Sequence, residues 1–174
     1  ETGFMVKNLE RAGVSAVIIE DKIGLKRNSL FGTEAKQTQD SIDNFCNKII
    51  LGKNASLTED FMVFARIESL ILEQGMSDAL KRAEAYSEAG SDGILIHSRK
   101  SDGKEIFEFI EKFRKIDSHS PLAVVPTSYN HFKNEEFSEV GANIIIYANH
   151  LLRSSYPSMV KTANSILEYQ RSME

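Results

Sequence analysis

The decamer EDKIGLKRNS, residues 20–29, places two carboxylates, three cations, an amide and a hydroxyl directly after the apolar run AVIIE. A solvated turn is one reading of it. The other is a site for an anionic substrate held with a metal ion. Glu20 is an oxygen donor suited to a hard cation such as Mg2+, which prefers carboxylates and water. Lys26 can face a carboxylate or phosphoryl group, and Asn28 and Ser29 offer neutral hydrogen bonds. Further along, Arg66 can grip an anion through its planar fork. His97 can donate to an anionic oxygen or move a proton near neutral pH. Read singly, Glu20 and Arg66 make a structural ion pair, Lys22 and Arg27 are surface charge, and His97 is a strand-end histidine with an ordinary partner. The stronger reading comes from coincidence, because several separate strands end in anion-binding groups. His119, His131 and His150 have no metal-site spacing. No G-x-G-x-x-G, P-loop or C-x-x-C is present.

These residues must be held by repeating elements. Three segments share one pattern: AGVSAVIIED at 12–21, AGSDGILIHS at 89–98 and VGANIIIYAN at 140–149. Each follows an amphipathic stretch (FMVKNLER, SDALKRAEAYSE and NEEFSE) that a glycine stops through its left-handed conformation. The apolar runs are short and barely alternate, so they read as strands covered on both faces. FMVFARIES at 61–69 and PLAVVPTS at 121–128 add two more strands. Helices are expected at about 38–52, 76–88, 103–116 and 157–170. In the third, Ile106, Phe109, Ile110 and Phe113 share a face. Five β-α units imply a parallel sheet, either open and doubly wound or part of a (β/α)8 barrel. In both, ligands bind at the C-terminal ends of the strands. That edge carries Glu20-Asp21, Arg66-Glu68, His97-Ser98, Thr127 and Asn149-His150. Lys22 to Thr38 lacks a hydrophobic period and reads as an active-site lid.

Composition is that of one ordinary domain. The chain has 174 residues, is 41% hydrophobic and carries a net charge of -4. There is no basic stripe for nucleic acid, and no apolar run approaches the ~20 residues of a membrane span. The single cysteine, Cys46, reads as a small core residue, and with no disulfide possible within the chain a reducing cytoplasm is expected.

The pattern E-D-K-x5-N-S, here Glu20-Asp21-Lys22 followed by Asn28-Ser29, resembles the phosphoenolpyruvate mutase family of the isocitrate lyase superfamily. The resemblance continues in order through ARIES at 65–69, DALKRAEAY at 78–86, AGSDGILIHSRK at 89–100, VVPTSY at 124–129 and YANHLLRSS at 147–155. It implies a Mg2+-dependent (β/α)8 TIM-type barrel that interconverts phosphoenolpyruvate and phosphonopyruvate. It also implies a last helix swapped between subunits of a homodimer or homotetramer. Carried over by motif, Glu20 belongs to the metal's acidic shell. Lys26, Asn28 and Ser29 sit on or at the base of a gating loop, and Arg66 and His97 bind the substrate's anionic groups. Glu1-Thr2-Gly3 resembles the end of the family's D-x-D-T-G metal segment, which makes Glu1 a second metal candidate. Its spacing to the next strand is shorter than the family's. The expectation is therefore that residues 1–174 are strands four to eight of one barrel domain, without the early strands and the nucleophilic Asp. The alternatives are a phosphonopyruvate hydrolase or related lyase, or a non-catalytic scaffold if the chain is complete. The intact Asn28-Ser29 pair favours the mutase, which must keep water from the transferring group.

Overall fold

A computed structural model describes residues 1–25, 29 and 37–171. In chain order the elements are α1 (Thr2–Arg11), β1 (Ala16–Glu20), β2 (Lys22–Ile23), β3 (Thr38–Gln39), α2 (Ile42–Ala55), β4 (Met62–Ile67) and α3 (Gly75–Glu88). They continue with β5 (Gly93–Ile96), α4 (Lys104–Ile116), β6 (Leu122–Val124), α5 (Asn134–Glu139), β7 (Ile144–Ile145) and α6 (His150–Tyr169).

The main sheet has five parallel strands in the order β1-β4-β5-β6-β7. Spatial order therefore follows chain order. A doubly wound sheet reverses its order at a switch point, and this one does not, so the sheet is an arc of a (β/α)8 barrel. Alternation along the strands gives the arc its two faces. Ala65, Ile67, Ile94, Ile96, Leu122 and Val124 pack outward into one core with residues of α2, α3, α4 and α5. Leu95, Ala123 and Val125 form a separate small cluster on the inner face.

The helices dock by the spacing of their apolar residues. α2 starts at Ser41, whose side chain accepts the Asn44 N–H, and buries Phe45, Ile49 and Gly52. α3 buries Ala79, Arg82, Ala83 and Tyr86. α4 buries the expected four, Ile106, Phe109, Ile110 and Phe113.

Three expectations need correction. β1 is not covered on both faces, since inward-facing Ile18 is 42% exposed. The helix expected at 38–52 is Ile42–Ala55, because Thr38–Gln39 pairs antiparallel with Lys22–Ile23 instead. Most of the expected lid between them lies outside the described residues. This two-residue ladder is its neck. The last helix begins at His150, with Pro157 inside it, rather than near 157. None of its residues is buried. No helix among the described residues is long and apolar enough to cross a membrane.

Candidate active site

Strand alternation sorts two motifs onto opposite sides of the sheet. Residues 20 and 22 face the barrel interior, and residue 21 faces the helices. In the same way Arg66 and Glu68 face inward, while Ile67 and Ser69 face outward. Glu20 and Arg66 are register partners on adjacent strands.

The inward residues form one charged cluster at the C-terminal edge. Lys22 Nζ lies 2.8 Å from Glu20 Oε1 and 3.0 Å from Glu68 Oε2. It also donates to Gln37 Oε1 at 2.6 Å and to the Ser29 hydroxyl at 3.0 Å. Arg66 Nε donates to Glu68 Oε1 at 2.7 Å and lies 3.5 Å from Glu20 Oε2. Arg66 Nη2 donates to Ser29 Oγ at 3.0 Å, and Ser29 donates in turn to Glu68 Oε2 at 2.6 Å. Two carboxylates thus balance two cations within a set that is mostly closed to solvent.

His97 completes the inward set from the end of β5 and is 4% exposed. Burial, reinforced by the Arg66 charge, lowers its pKa to about 4. At neutral pH the ring is therefore uncharged, a hydrogen-bonding group rather than the near-neutral proton carrier expected from its type. Its Nδ1 is buried without a hydrogen-bond partner among the described residues. A buried polar atom of this kind fits a ligand contact.

The outward residues form a second, largely buried network. Asp21 Oδ1 accepts the Glu68 backbone N–H at 2.9 Å. Asp21 Oδ2 accepts from Gln39 Nε2 at 2.8 Å, from the Tyr86 hydroxyl at 2.9 Å and from Arg82 Nη1 at 3.4 Å. Arg82 also pairs with Asp78 at 2.8 Å and donates to the Asp40 carbonyl at 2.9 Å. Ser69 joins Gln39 to Asp78. Burial raises the Asp21 pKa against the lowering effect of these donors. The network ties β1, the loop neck and α3 behind the charged cluster.

Of the residues expected to form the site, Glu20, Ser29, Arg66 and His97 come together. Lys26 and Asn28 lie outside the described residues. Glu1 does not join the cluster. It caps α1, whose Thr2 methyl carbon would lie 3.8 Å from a Cβ placed on Gly52, in the last turn of α2. That is toward the N-terminal edge of the strands, and Glu1 is exposed. Lys22 and Glu68 belong to the charged cluster although their sequence positions suggested a surface charge and a strand end. The signal for both was the alternation within E-D-K and R-I-E.

The donor set is consistent with Mg2+, which commonly uses one or two carboxylates and completes its shell with water and substrate oxygens. Glu20 would supply such an oxygen. Among the described residues no group of three or more His, Cys, Asp or Glu is arranged around one point. A cleft of about 420 Å3 lies nearby, lined by Leu70, Glu73, Gly75, Arg99, Lys100 and Glu105. Its cations are already paired, Arg99 with Glu73 and Lys100 with Glu105.

Fold and site together define a segment of a (β/α)8 barrel whose C-terminal strand edge carries a compact charged cluster. The chain belongs to the phosphoenolpyruvate phosphomutase family, whose profile matches residues 1–167. It is 39% identical over 164 residues to phosphoenolpyruvate phosphomutase of Tetrahymena pyriformis, covering 94% of this chain and 53% of that protein. The crystal structure of phosphoenolpyruvate phosphomutase from Streptomyces platensis subsp. rosaceus superimposes with a TM-score of 0.90 at 37% identity, over 98% of this chain and 57% of that one. Phosphonopyruvate hydrolase in complex with oxalate and Mg++ gives a TM-score of 0.82 at 31% identity, over 97% of this chain and 56% of that one. The chain thus spans about half the length of these relatives.

Proposed function

We propose that the chain is part of a Mg2+-dependent enzyme that interconverts phosphoenolpyruvate and phosphonopyruvate, and that its five strands are strands four to eight of the barrel. The observation that carries this reading is the convergence of Glu20, Ser29, Arg66 and His97 on one strand edge, in a chain matched by the family over nearly its whole length. In the reaction the phosphoryl group leaves carbon 3 of phosphonopyruvate and ends on the enol oxygen.

Each residue has a task in that exchange. Arg66 binds a carboxylate or phosphoryl group through its fork. His97, uncharged at neutral pH, hydrogen-bonds the substrate through the free Nδ1 without adding charge. Ser29 fixes the base of the loop against Arg66. Lys26 and Asn28, on that loop, offset charge on the transferring group and keep water from it. Glu20 holds the metal, which when bound offsets negative charge on substrate oxygens. The oxalate and Mg++ complex of phosphonopyruvate hydrolase supports a divalent cation and a small carboxylate as ligands. The exposed apolar residues of α6, Leu151, Leu152, Met159 and Leu167 among them, support a swapped helix in a homodimer or homotetramer. A cytoplasmic enzyme fits the single free cysteine.

The test is turnover of phosphonopyruvate by the full-length enzyme with Mg2+, followed by 31P NMR. Phosphoenolpyruvate as product supports the mutase; inorganic phosphate with pyruvate assigns the hydrolase instead. Asn28→Ala and Lys26→Ala are each expected to lower the rate by about 10²–10³, the effect of losing one hydrogen bond made in the transition state. Full turnover by both variants would remove the loop from the mechanism.

A further inference from the structure

Both described cations of the cluster turn to one carboxylate that carries no role in the reading above. Glu68 is fully buried. Its Oε1 accepts from Arg66 Nε at 2.7 Å. Its Oε2 accepts from the Ser29 hydroxyl at 2.6 Å and faces Lys22 Nζ at 3.0 Å. Its backbone N–H is held by Asp21 at 2.9 Å. The carboxylate therefore sits between strand β4 on one side and the loop base on the other, and its own position is fixed from behind.

We infer that Glu68 is a positioning residue that aims Arg66 and Lys22 at an anionic substrate and locks Ser29, at the loop base, to the strand edge. The inference rests on the proposed reading of this edge as an anion site. With Nε held by Glu68 and Nη2 by Ser29, the planar guanidinium has one orientation, and its remaining N–H groups have a fixed direction. Neither oxygen of Glu68 can be replaced by an amide nitrogen without a clash of donors. A glutamine would set its NH2 against Arg66 in one orientation and against Lys22 and Ser29 in the other. The positioning role therefore needs a carboxylate, not merely a polar side chain of that size.

The sign of the effect separates positioning from simple charge. Removing a negative charge next to an anion site strengthens anion binding on Coulomb grounds alone. Loss of positioning weakens it. Oxalate binding to the full-length enzyme in the presence of Mg2+ can be measured by calorimetry without turnover, for the wild type, Glu68→Gln and Glu68→Asp. Glu68→Gln is expected to bind oxalate about 10- to 100-fold more weakly. In phosphonopyruvate turnover, KM is expected to rise by a similar factor and kcat to fall as well. A purely structural role would lower the melting temperature and leave KM unchanged. Glu68→Asp keeps the charge and both acceptors on a shorter stem, and is expected to fall between the two. Equal or tighter oxalate binding by folded Glu68→Gln overturns the inference. Should Glu68→Gln not fold, wild-type affinity in Glu68→Asp overturns it. Weakened oxalate binding by the variants of an enzyme that converts no phosphonopyruvate upholds Glu68 and discards the proposed reaction. Absence of oxalate binding in the wild type overturns the inference, since there is then no anion to aim at.

Discussion

Asp21→Asn tests whether the buried network, rather than the charged cluster, holds the strand edge in place. The carboxylate accepts from Glu68 N–H, Gln39 Nε2 and the Tyr86 hydroxyl at 2.8 to 2.9 Å, with Arg82 Nη1 at 3.4 Å. An asparagine has one oxygen. If that oxygen keeps the Glu68 N–H, the new NH2 faces Gln39, Tyr86 and Arg82, all donors in the native arrangement. Two short bonds to a charged acceptor are lost, at about 1.5–3 kcal/mol each. The Tyr86 oxygen, which already accepts from Arg82 Nη1 at 2.8 Å, can accept from the new NH2 through its second lone pair, which restores about 1 kcal/mol. Relief from burying a carboxylate returns part of the rest. The net loss is expected to be about 3 kcal/mol. For a chain of this size that corresponds to a fall in melting temperature of roughly 6–12 °C. Urea unfolding followed by far-UV circular dichroism measures it. The pH dependence has a defined sign. Burial raises the folded-state pKa of Asp21, so its protonated form is favoured by folding. The wild type therefore loses that advantage as pH rises through the folded-state pKa, and the gap to the asparagine variant narrows. A loss below about 1 kcal/mol at pH 7 would show that the burial cost cancels the bonds, and the network could no longer be called the anchor.

Gly93→Ala is expected to destabilise by about 2–3 kcal/mol or more, because its Cβ would lie 2.3 Å from Phe64 Cε1 and 2.7 Å from the Pro121 carbonyl, a backbone atom of the neighbouring chain segment; a denaturation midpoint equal to wild type would contradict the packing. For His97, with its pKa lowered from 6.5 to about 4, the unfolded chain takes up the proton first as pH falls. Stability is therefore full above about pH 6.5 and declines toward pH 4, by roughly 3 kcal/mol in all. A pH series of urea midpoints that is no flatter in His97→Gln than in wild type would refute it.

The fold was legible where the signal is periodic. The five parallel strands follow from the five apolar runs and the four-residue face of α4 from its spacing, and the gathering of charged groups at the C-terminal edge follows from which strand ends are polar. The β2–β3 neck was not legible, because Lys22-Ile23 and Thr38-Gln39 lie outside any apolar run. Pro157 reads as a first-turn residue, yet helix α6 runs through it, with nothing in the local composition to show that the preceding turns are helical. Lys22 followed a strand directly and looked like surface charge. Its side chain is only 8% exposed, because two carboxylates from different strands meet it. Such a meeting depends on register, which the sequence does not state. Glu1 was placed by likeness to a motif. What decides its position is the height at which α1 rests on α2, set by Gly52 and Val6.

The two motifs at this edge have one physical explanation. A strand end alternates, so E-D-K places its first and third residues in the barrel and its second among the helices, and R-I-E-S does the same one strand over. Inward positions carry charges that balance one another and can be re-paired by a ligand. Outward positions carry a carboxylate and its donors, closed away from any ligand. The backbone joins the layers. Asp21 N–H donates to the Arg66 carbonyl at 3.0 Å, and Asp21 Oδ1 takes the Glu68 N–H. One outward residue therefore fixes the main chain under both inward residues of the neighbouring strand. On the proposed reading, the charged layer changes partners when an anion arrives without moving the strand edge, because its register is set by bonds on the other face. Substitutions on the outward face should then register as lost stability, and those on the inward face as lost binding. A site that must exchange a closed set of ion pairs for a substrate needs that separation, since the pairs themselves cannot both hold the edge and let go.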